Sequence, residues 1–520
     1  MRCFASGLPL AFALILIGCG AGSETKPVAA PPGKAEKPDS AISKIVPPSP
    51  PKTLFEPLEA LVSRHGFAPQ QVGFAVRDLV SGEVLAYRNP HRTYIPASVT
   101  KVATAVTALE ILGADKRFET RVQSSGHIQN GELSGDLALV GGGDPLLSSA
   151  DLMAMCRRLH RAGVREVTGR FLVDDGQGLR RRSINRRQPE GARYNPAISP
   201  LTVGFNRIRI VHEKRGTSST ATAYAVPPLP GVDLALDTRQ SRNDAPWRLA
   251  FRPEGVVWRL NPEASPKGAH WVPLKRPSMA TGAMFRRLCG RLGIEMPHPE
   301  RDRGPAQGRT LARHVSPPLY RIVAAMLEHS NNLVAELVGT AATQALTGRI
   351  LPLNRSSAAV ARWWQERLPE HEWPGFRPGN HSGLTARGRM TPAQMAAILE
   401  FADGRFYEMP SGTKRSLLSL LPAAGTSGAF GGRLDWPATA LSVWAKTGTM
   451  HFASGLAGYL LTSDGRRLAF AIFVTDREQR LRYNPQAEAQ PKGQAARIAD
   501  WRRRAKALEA ELVRRWAHRN

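Results

Sequence analysis

Ser98-Val99-Thr100-Lys101 sets a serine three residues before a lysine at the start of an apolar run. Tyr94-Ile95-Pro96-Ala97 precedes it, and an apolar run at Val102, Ala105, Val106, Leu109 and Leu112 follows, ending at Gly113. That spacing predicts a helix with the serine at its mouth and the lysine one turn on, both on one face. A hydroxyl and an amine so placed are a nucleophile and its base, provided burial or a second cation keeps the amine neutral. Serine is also an ordinary helix cap, and a first-turn lysine is ordinarily solvated. The same Ser-x-x-Lys spacing recurs at Ser23–Lys26, Ser49–Lys52 and Ser411–Lys414, so the string alone decides nothing.

Two further segments, in order, give it meaning. Ser330-Asn331-Asn332 falls at a break between two helical runs, and Lys446-Thr447-Gly448-Thr449 falls where a strand is expected. Ser-x-Asn also occurs at Ser183–Asn185 and Ser241–Asn243, whereas Lys-Thr-Gly occurs only at 446–448. Ser330 is suited to pass a proton between Lys101 and a leaving amine, and Asn332 to bond a substrate amide. Lys446 is the natural second cation beside Lys101. Gly448 allows close backbone approach, and an edge strand there would pair with an extended peptide. Lys446 with Thr447 or Thr449 would grip a terminal carboxylate. The unpaired amides at the mouth of the serine helix, with the Thr449 amide, would stabilise an oxyanion.

Working outward, Gln71–Asp78 and Glu83–Tyr87 read as a hairpin around Ser81-Gly82. From about Phe118 to Ala269 the chain turns to short strands and glycine turns, notably Gly141-Gly142-Gly143-Asp144-Pro145, which predicts one or two inserted domains. Helices are expected to return from about Met279 through Leu346, and again over Arg389–Ala402 and Lys414–Leu421. Strands at Ala440–Lys446, Ser454–Thr462 and Arg467–Thr475 close the fold. The expected division is 53–117 plus 276–490 for the catalytic domain, 118–275 for a mainly β accessory region, and 491–520 for a basic C-terminal helix.

The N-terminus has the form of a secretory signal over residues 1–18: Arg2, an apolar run from Leu8 to Ile17, then Leu16-Ile17-Gly18-Cys19. Residues 19–52, rich in Pro, Ala, Ser and Lys, cannot bury a core and predict an extended tether of about 90 Å at most. The expected location is therefore outside the cytoplasm. Cys156 and Cys289 then meet an oxidising compartment, where they either pair or remain two buried thiols. The formal net charge of +28 would suit nucleic acid, but an exported protein meets anionic lipid headgroups and wall polymers first. Runs such as Arg180-Arg181-Arg182 and Arg502-Arg503-Arg504 are expected to be solvated faces.

The ordered trio resembles the active-serine signature of penicillin-binding proteins and serine β-lactamases. The chain as a whole is similar to the class C low-molecular-mass penicillin-binding proteins, the D-alanyl-D-alanine carboxypeptidase/endopeptidase family. Gly141–Pro145, Tyr194-Asn195-Pro196-Ala197-Ile198-Ser199 and His329–Glu336 also carry the likeness. More than 200 residues separate Lys101 from Ser330, as expected of that class and not of compact β-lactamases.

The resemblance implies an α/β (α+β) fold, an antiparallel sheet flanked by helices, with the insert attached. It also implies cleavage of the terminal bond or cross-link of peptidoglycan stem peptides through an acyl-Ser98 intermediate. Covalent capture of β-lactam antibiotics follows, with no cofactor, no metal and no nucleic-acid partner. Leu16–Cys19 resembles a bacterial lipobox, which implies lipidation of Cys19, a membrane anchor and a periplasmic enzyme. Asp174 matches a family position that holds the diamino acid of the stem peptide. One motif departs: the family's Asp-Gly-Ser-Gly-Leu-Ser-Arg is Asn380-His381-Ser382-Gly383-Leu384-Thr385-Ala386 here, with Arg387 next door and His381 expected to be a solvated loop residue. Competing readings are a β-lactamase or esterase, and a non-catalytic wall-binding lipoprotein on the same scaffold.

Overall fold

In Arg467–Thr475 the residues Leu468, Phe470, Ile472 and Val474 fall on one face and Ala469, Ala471 and Phe473 on the other, and all are buried. A strand apolar on both faces belongs in the middle of a covered sheet. The computed structural model describes residues 58–518, apart from residues 177, 215–220, 228–231, 237–246, 253–254, 261–266, 302–307, 410, 427, 438 and 485–492. The expected signal, Cys19 and the tether lie outside the described residues. The central sheet is antiparallel, in the order Val443–Met450, Ala453–Leu461, Arg467–Thr475, Val72–Asp78, Val84–Arg88. The N-terminal hairpin thus pairs with the last of the three C-terminal strands, and the strand bearing Lys446 lies at the edge.

One face of this sheet is covered by helices Thr100–Leu112, Leu319–His329, Asn332–Thr347 and Pro392–Asp403. Thr100 to Leu109 is buried at every position, which marks the serine helix as a core helix. The other face is covered by the C-terminal helix Gln494–Ala517, whose Trp501, Leu508, Leu512 and Trp516 meet Phe74, Phe470 and Ile472.

Among the described residues, the inserted region is mainly β and carries two α-helices. Its five-stranded sheet runs Pro299–Arg301, Phe171–Asp174, Leu137–Val140, Glu119–Ser124, Arg309–Val315. Helices Ser149–Arg161 and Pro277–Gly290 share its core and are joined by a Cys156–Cys289 disulfide, with Cα atoms 5.0 Å apart. The return to the catalytic core therefore comes near Ser316, not at 276. Ala280, Phe285 and Cys289 pack against the insert's own Phe171 and Val173, a choice of partner that periodicity does not reveal.

A second correction concerns Lys414–Leu421, expected as a helix. Lys414–Arg415 is a short strand paired with Tyr407–Glu408 around Gly412, whose φ is 76°, and a single 3-10 turn follows at Leu417–Leu420. The helix expected over Arg389–Ala402 begins only at Pro392. Thr391 and Gln394 form a reciprocal cap there, and Pro392 occupies the first helical position.

Candidate active site

The serine stands at a strained entry. Ala97 takes a left-handed backbone, φ 46°, before the tight turn Ala97–Val99 that leads into the serine helix. Ser98 is half-buried, whereas Lys101 is 0% exposed. Lys101 Nζ lies 2.9 Å from Ser98 Oγ, 2.7 Å from Asn332 Oδ1 and 2.8 Å from the Ser382 carbonyl. Burial pushes this amine well below the ordinary lysine range; the charge of Lys446 adds to the shift and Glu336 opposes it.

A neutral amine has two hydrogens and one lone pair. The Asn332 and Ser382 oxygens can only accept, so in that neutral form they would take the two hydrogens and leave the lone pair to the Ser98 hydroxyl. The orientation of Asn332 is itself fixed, because its Nδ2 donates to the Tyr194 carbonyl at 2.9 Å. Through Tyr194 the insert reaches the Asn332 side chain that bonds Lys101.

Helix Leu319–His329 stops at Ser330, which takes a left-handed φ of 51°, and Asn331 caps the helix Asn332–Thr347. Asn332, not Ser330, is the residue of this motif that bonds Lys101. Ser330 lines a neighbouring cleft of about 380 Å³ with Arg193, Tyr194, Arg207 and Asn332.

Lys446 is 1% exposed and donates from Nζ to the Thr447 carbonyl at 2.8 Å. Burial, with Arg433 adding and Glu328 opposing, lowers its pKa to about 7. Gly448 runs against the turn that carries Ser98: a Cβ there would lie 2.7 Å from the Pro96 carbonyl oxygen and 3.1 Å from the Ser98 amide nitrogen. Beside Val443–Ala445 the outer edge of the strand is bonded to Pro422 and Ala424; from Thr447 to Met450, among the described residues, it is not paired. Thr449 is exposed there and Thr447 half-buried.

The sequence reading missed three contributors. Glu336, 0% exposed, accepts the amides of His381 at 3.1 Å and Ser382 at 3.0 Å, and so holds the loop whose carbonyl bonds Lys101. Burial raises its pKa while those amide bonds oppose the shift. Its signal was present, since Glu336 is four residues after Asn332 and shares its helix face. Ser382 and the Tyr194 carbonyl act through contacts that no local pattern announces.

His381 is corrected: it is 1% exposed, its Nε2 is 2.7 Å from Ser356 Oγ, and Thr104 Oγ1 donates to its carbonyl at 2.8 Å. Burial lowers its pKa to about 3, so the ring is neutral. Asp174 stands apart, 8% exposed at the end of its strand, and its Oδ1 accepts the Gly176 amide at 2.7 Å. It lines a separate cavity of about 370 Å³ walled by Leu337, Thr340 and Gln344 of the asparagine helix. Among the described residues no group of three or more His, Cys, Asp or Glu is placed to hold a metal ion.

Comparison with known proteins points the same way. A D-alanyl-D-alanine carboxypeptidase of Actinomadura sp. (strain R39) is 30% identical over 461 residues, spanning 81% of this chain and 80% of that protein. The D-alanyl-D-alanine carboxypeptidase DacB of Haemophilus influenzae is 26% identical over 433 residues, or 78% and 85% of the two chains. The crystal structure of penicillin binding protein 4 (dacB) from Haemophilus influenzae shares the fold, with a TM-score of 0.70 at 21% identity over 88% of this chain and 100% of that one. Residues 55–494 match the D-Ala-D-Ala carboxypeptidase 3 (S13) family, a span that holds the serine, both lysines, Asn332 and the whole insert, and the chain belongs to that family.

Proposed function

We propose that this protein is a serine D-alanyl-D-alanine carboxypeptidase and endopeptidase that cuts the stem peptides of peptidoglycan through an acyl-Ser98 intermediate. The observation that carries the reading is the buried Lys101 amine, 2.9 Å from Ser98 Oγ and held there by the Asn332 and Ser382 oxygens.

Ser98 Oγ attacks the carbonyl carbon of the penultimate D-alanine and its proton passes to Lys101 Nζ. The amides of Ser98 and Thr449 receive the oxyanion; such a donor is typically worth ~10²–10³ in rate. Lys446 with Thr447 or Thr449 holds the terminal carboxylate, while the open edge at Thr447–Met450 pairs with the peptide. The C–N bond breaks as Ser330 relays the proton to the leaving amine, and water then resolves the ester, restoring the hydroxyl and releasing a carboxylate. Asp174 contributes to the side-chain pocket of the stem peptide, and β-lactams acylate the same serine.

The exported, lipid-anchored arrangement belongs to this proposal, with Cys19 as the lipidated residue and 19–52 as the tether to the periplasmic face of a membrane. The Cys156–Cys289 disulfide supports an oxidising compartment.

Fluorescent penicillin is expected to label the purified protein and not Ser98→Ala; equal labelling of both would sink the reading. Stable labelling separates a peptidase from a β-lactamase, which would turn the antibiotic over. Mass analysis of digested peptidoglycan then distinguishes loss of one alanine from conversion of dimers to monomers.

A further inference from the structure

The run Arg180-Arg181-Arg182 does not lie on an open face. With Arg186 it lines one side of a cleft of about 840 Å³. Lys275, Arg276 and Arg301 enter the same cleft from two other parts of the chain. Among the described residues, seven cations thus face one lining carboxylate, Asp175. That carboxylate is fully engaged: Ser199 Oγ donates to Oδ1 at 2.7 Å, and Arg180 and Arg301 share Oδ2 at 3.0 and 3.4 Å.

A second source of positive potential is independent of the side chains. Pro277, Ser278 and Met279, the first turn of the helix Pro277–Gly290, line the cleft, and no side chain caps that helix start. Its leading amides and the positive end of its dipole therefore face the same space. Cations drawn from separate segments into a concavity, with so little acid among them, make a field that selects an anion.

The shape narrows the anion. A cleft admits a chain and not a flat bilayer. Leu179 lines both this cleft and the cavity beneath Asp174, whose far wall is the helix that begins at Asn332. The basic cleft thus adjoins, through Leu179, the cavity that Asp174 lines.

We propose that this cleft docks a second, carboxylate-bearing segment of the peptidoglycan strand, holding the polymer while Ser98 acts on one of its stems. This rests on the peptidase reading above. The site would make the enzyme prefer polymer over free peptide, and its grip would weaken with salt.

The test uses the mature full chain, an R182E/R276E variant and the milder R182Q/R276Q, both positions lying at the exposed rim. Co-sedimentation with purified sacculi is expected to weaken about ten-fold for R182E/R276E and less for R182Q/R276Q. Cleavage of polymeric substrate should fall in parallel, while penicillin labelling and cleavage of a short soluble stem peptide stay unchanged. Wild-type binding to sacculi should also fall with added salt and after amidation of the wall carboxylates.

Undiminished sacculus binding by R182E/R276E would overturn the proposal, as would equal binding to amidated sacculi. Loss confined to anionic phospholipid vesicles would assign the cleft to a membrane and overturn it too. Failure of the peptidase reading is seen separately, as absence of Ser98 labelling in the wild type.

Discussion

His381 shows how one side chain can hold a reaction centre that it does not touch. The imidazole is accommodated because Gly339 leaves room for it: a Cβ on Gly339 would lie 2.2 Å from the ring's Cγ. Ser356 Oγ meets the ring on one side, and the backbone on either side of it is bonded to Thr104 and Glu336. The Ser382 carbonyl, next in sequence, is thereby fixed on Lys101. His381→Gly is expected to cost about 2–4 kcal/mol, through the cavity and the loss of the bond to Ser356, whose hydroxyl keeps only Thr343 Oγ1. Acylation by penicillin should slow by about ten- to a hundred-fold as the Ser382 carbonyl loosens. His381→Gln, which keeps a polar end for Ser356, should recover part of both. Denaturant titration and labelling rates check the pair; a glycine variant as stable and as fast as wild type would remove His381 from this role. Nothing in the local sequence separates such a buried histidine from a loop histidine, because its depth is set by residues 25 to 277 positions away.

The elements of the insert were legible as strands and helices, but their partners were not. Helix Pro277–Gly290 has an apolar face that would suit either domain, and the disulfide to Cys156 ties it to the insert. Another tie joins the strand Arg309–Val315 to the glycine-rich loop. His314 Nε2 lies 3.1 Å from the carboxylate of Asp144, which is 1% exposed, and Asp151 is 3.5 Å from the other ring nitrogen. The bond to Asp144 raises the His314 pKa above its ordinary 6.5, burial opposes the shift, and Asp151 adds to it. The charged pair thus contributes stability that is fully present below about pH 6.5 and is lost as pH rises through the raised value. Unfolding of the insert, followed by denaturant at pH about 5.5 and about 8.5, should show lower stability at the higher pH. His314→Gln should flatten that dependence, and an unchanged pH profile in the variant would refute the assignment.

At the scale of the molecule, the C-terminal helix is part of the catalytic core. Trp516 packs against Phe74 and Phe470 with ring centroids 5.5 and 6.1 Å away, closing the sheet face opposite the serine helix. The same helix reaches the active site electrostatically: buried Glu509 pairs with Arg433, whose charge helps lower the pKa of Lys446. Trp516→Ala is expected to destabilise the protein by about 3–5 kcal/mol. Penicillin labelling should disappear with the fold in a thermal melt, and a variant that melts like wild type would show the helix to be dispensable. The sequence alone determined which groups are present and in what order, and where period-2 and period-3.6 patterns place the strand of Lys446 and the helix of Lys101, because those signals are local. Tertiary structure decided the downward shift of the Lys101 pKa and the partners that its amine meets. Both depend on burial and on acceptors 231 and 281 residues away, and only folding brings those to the amine.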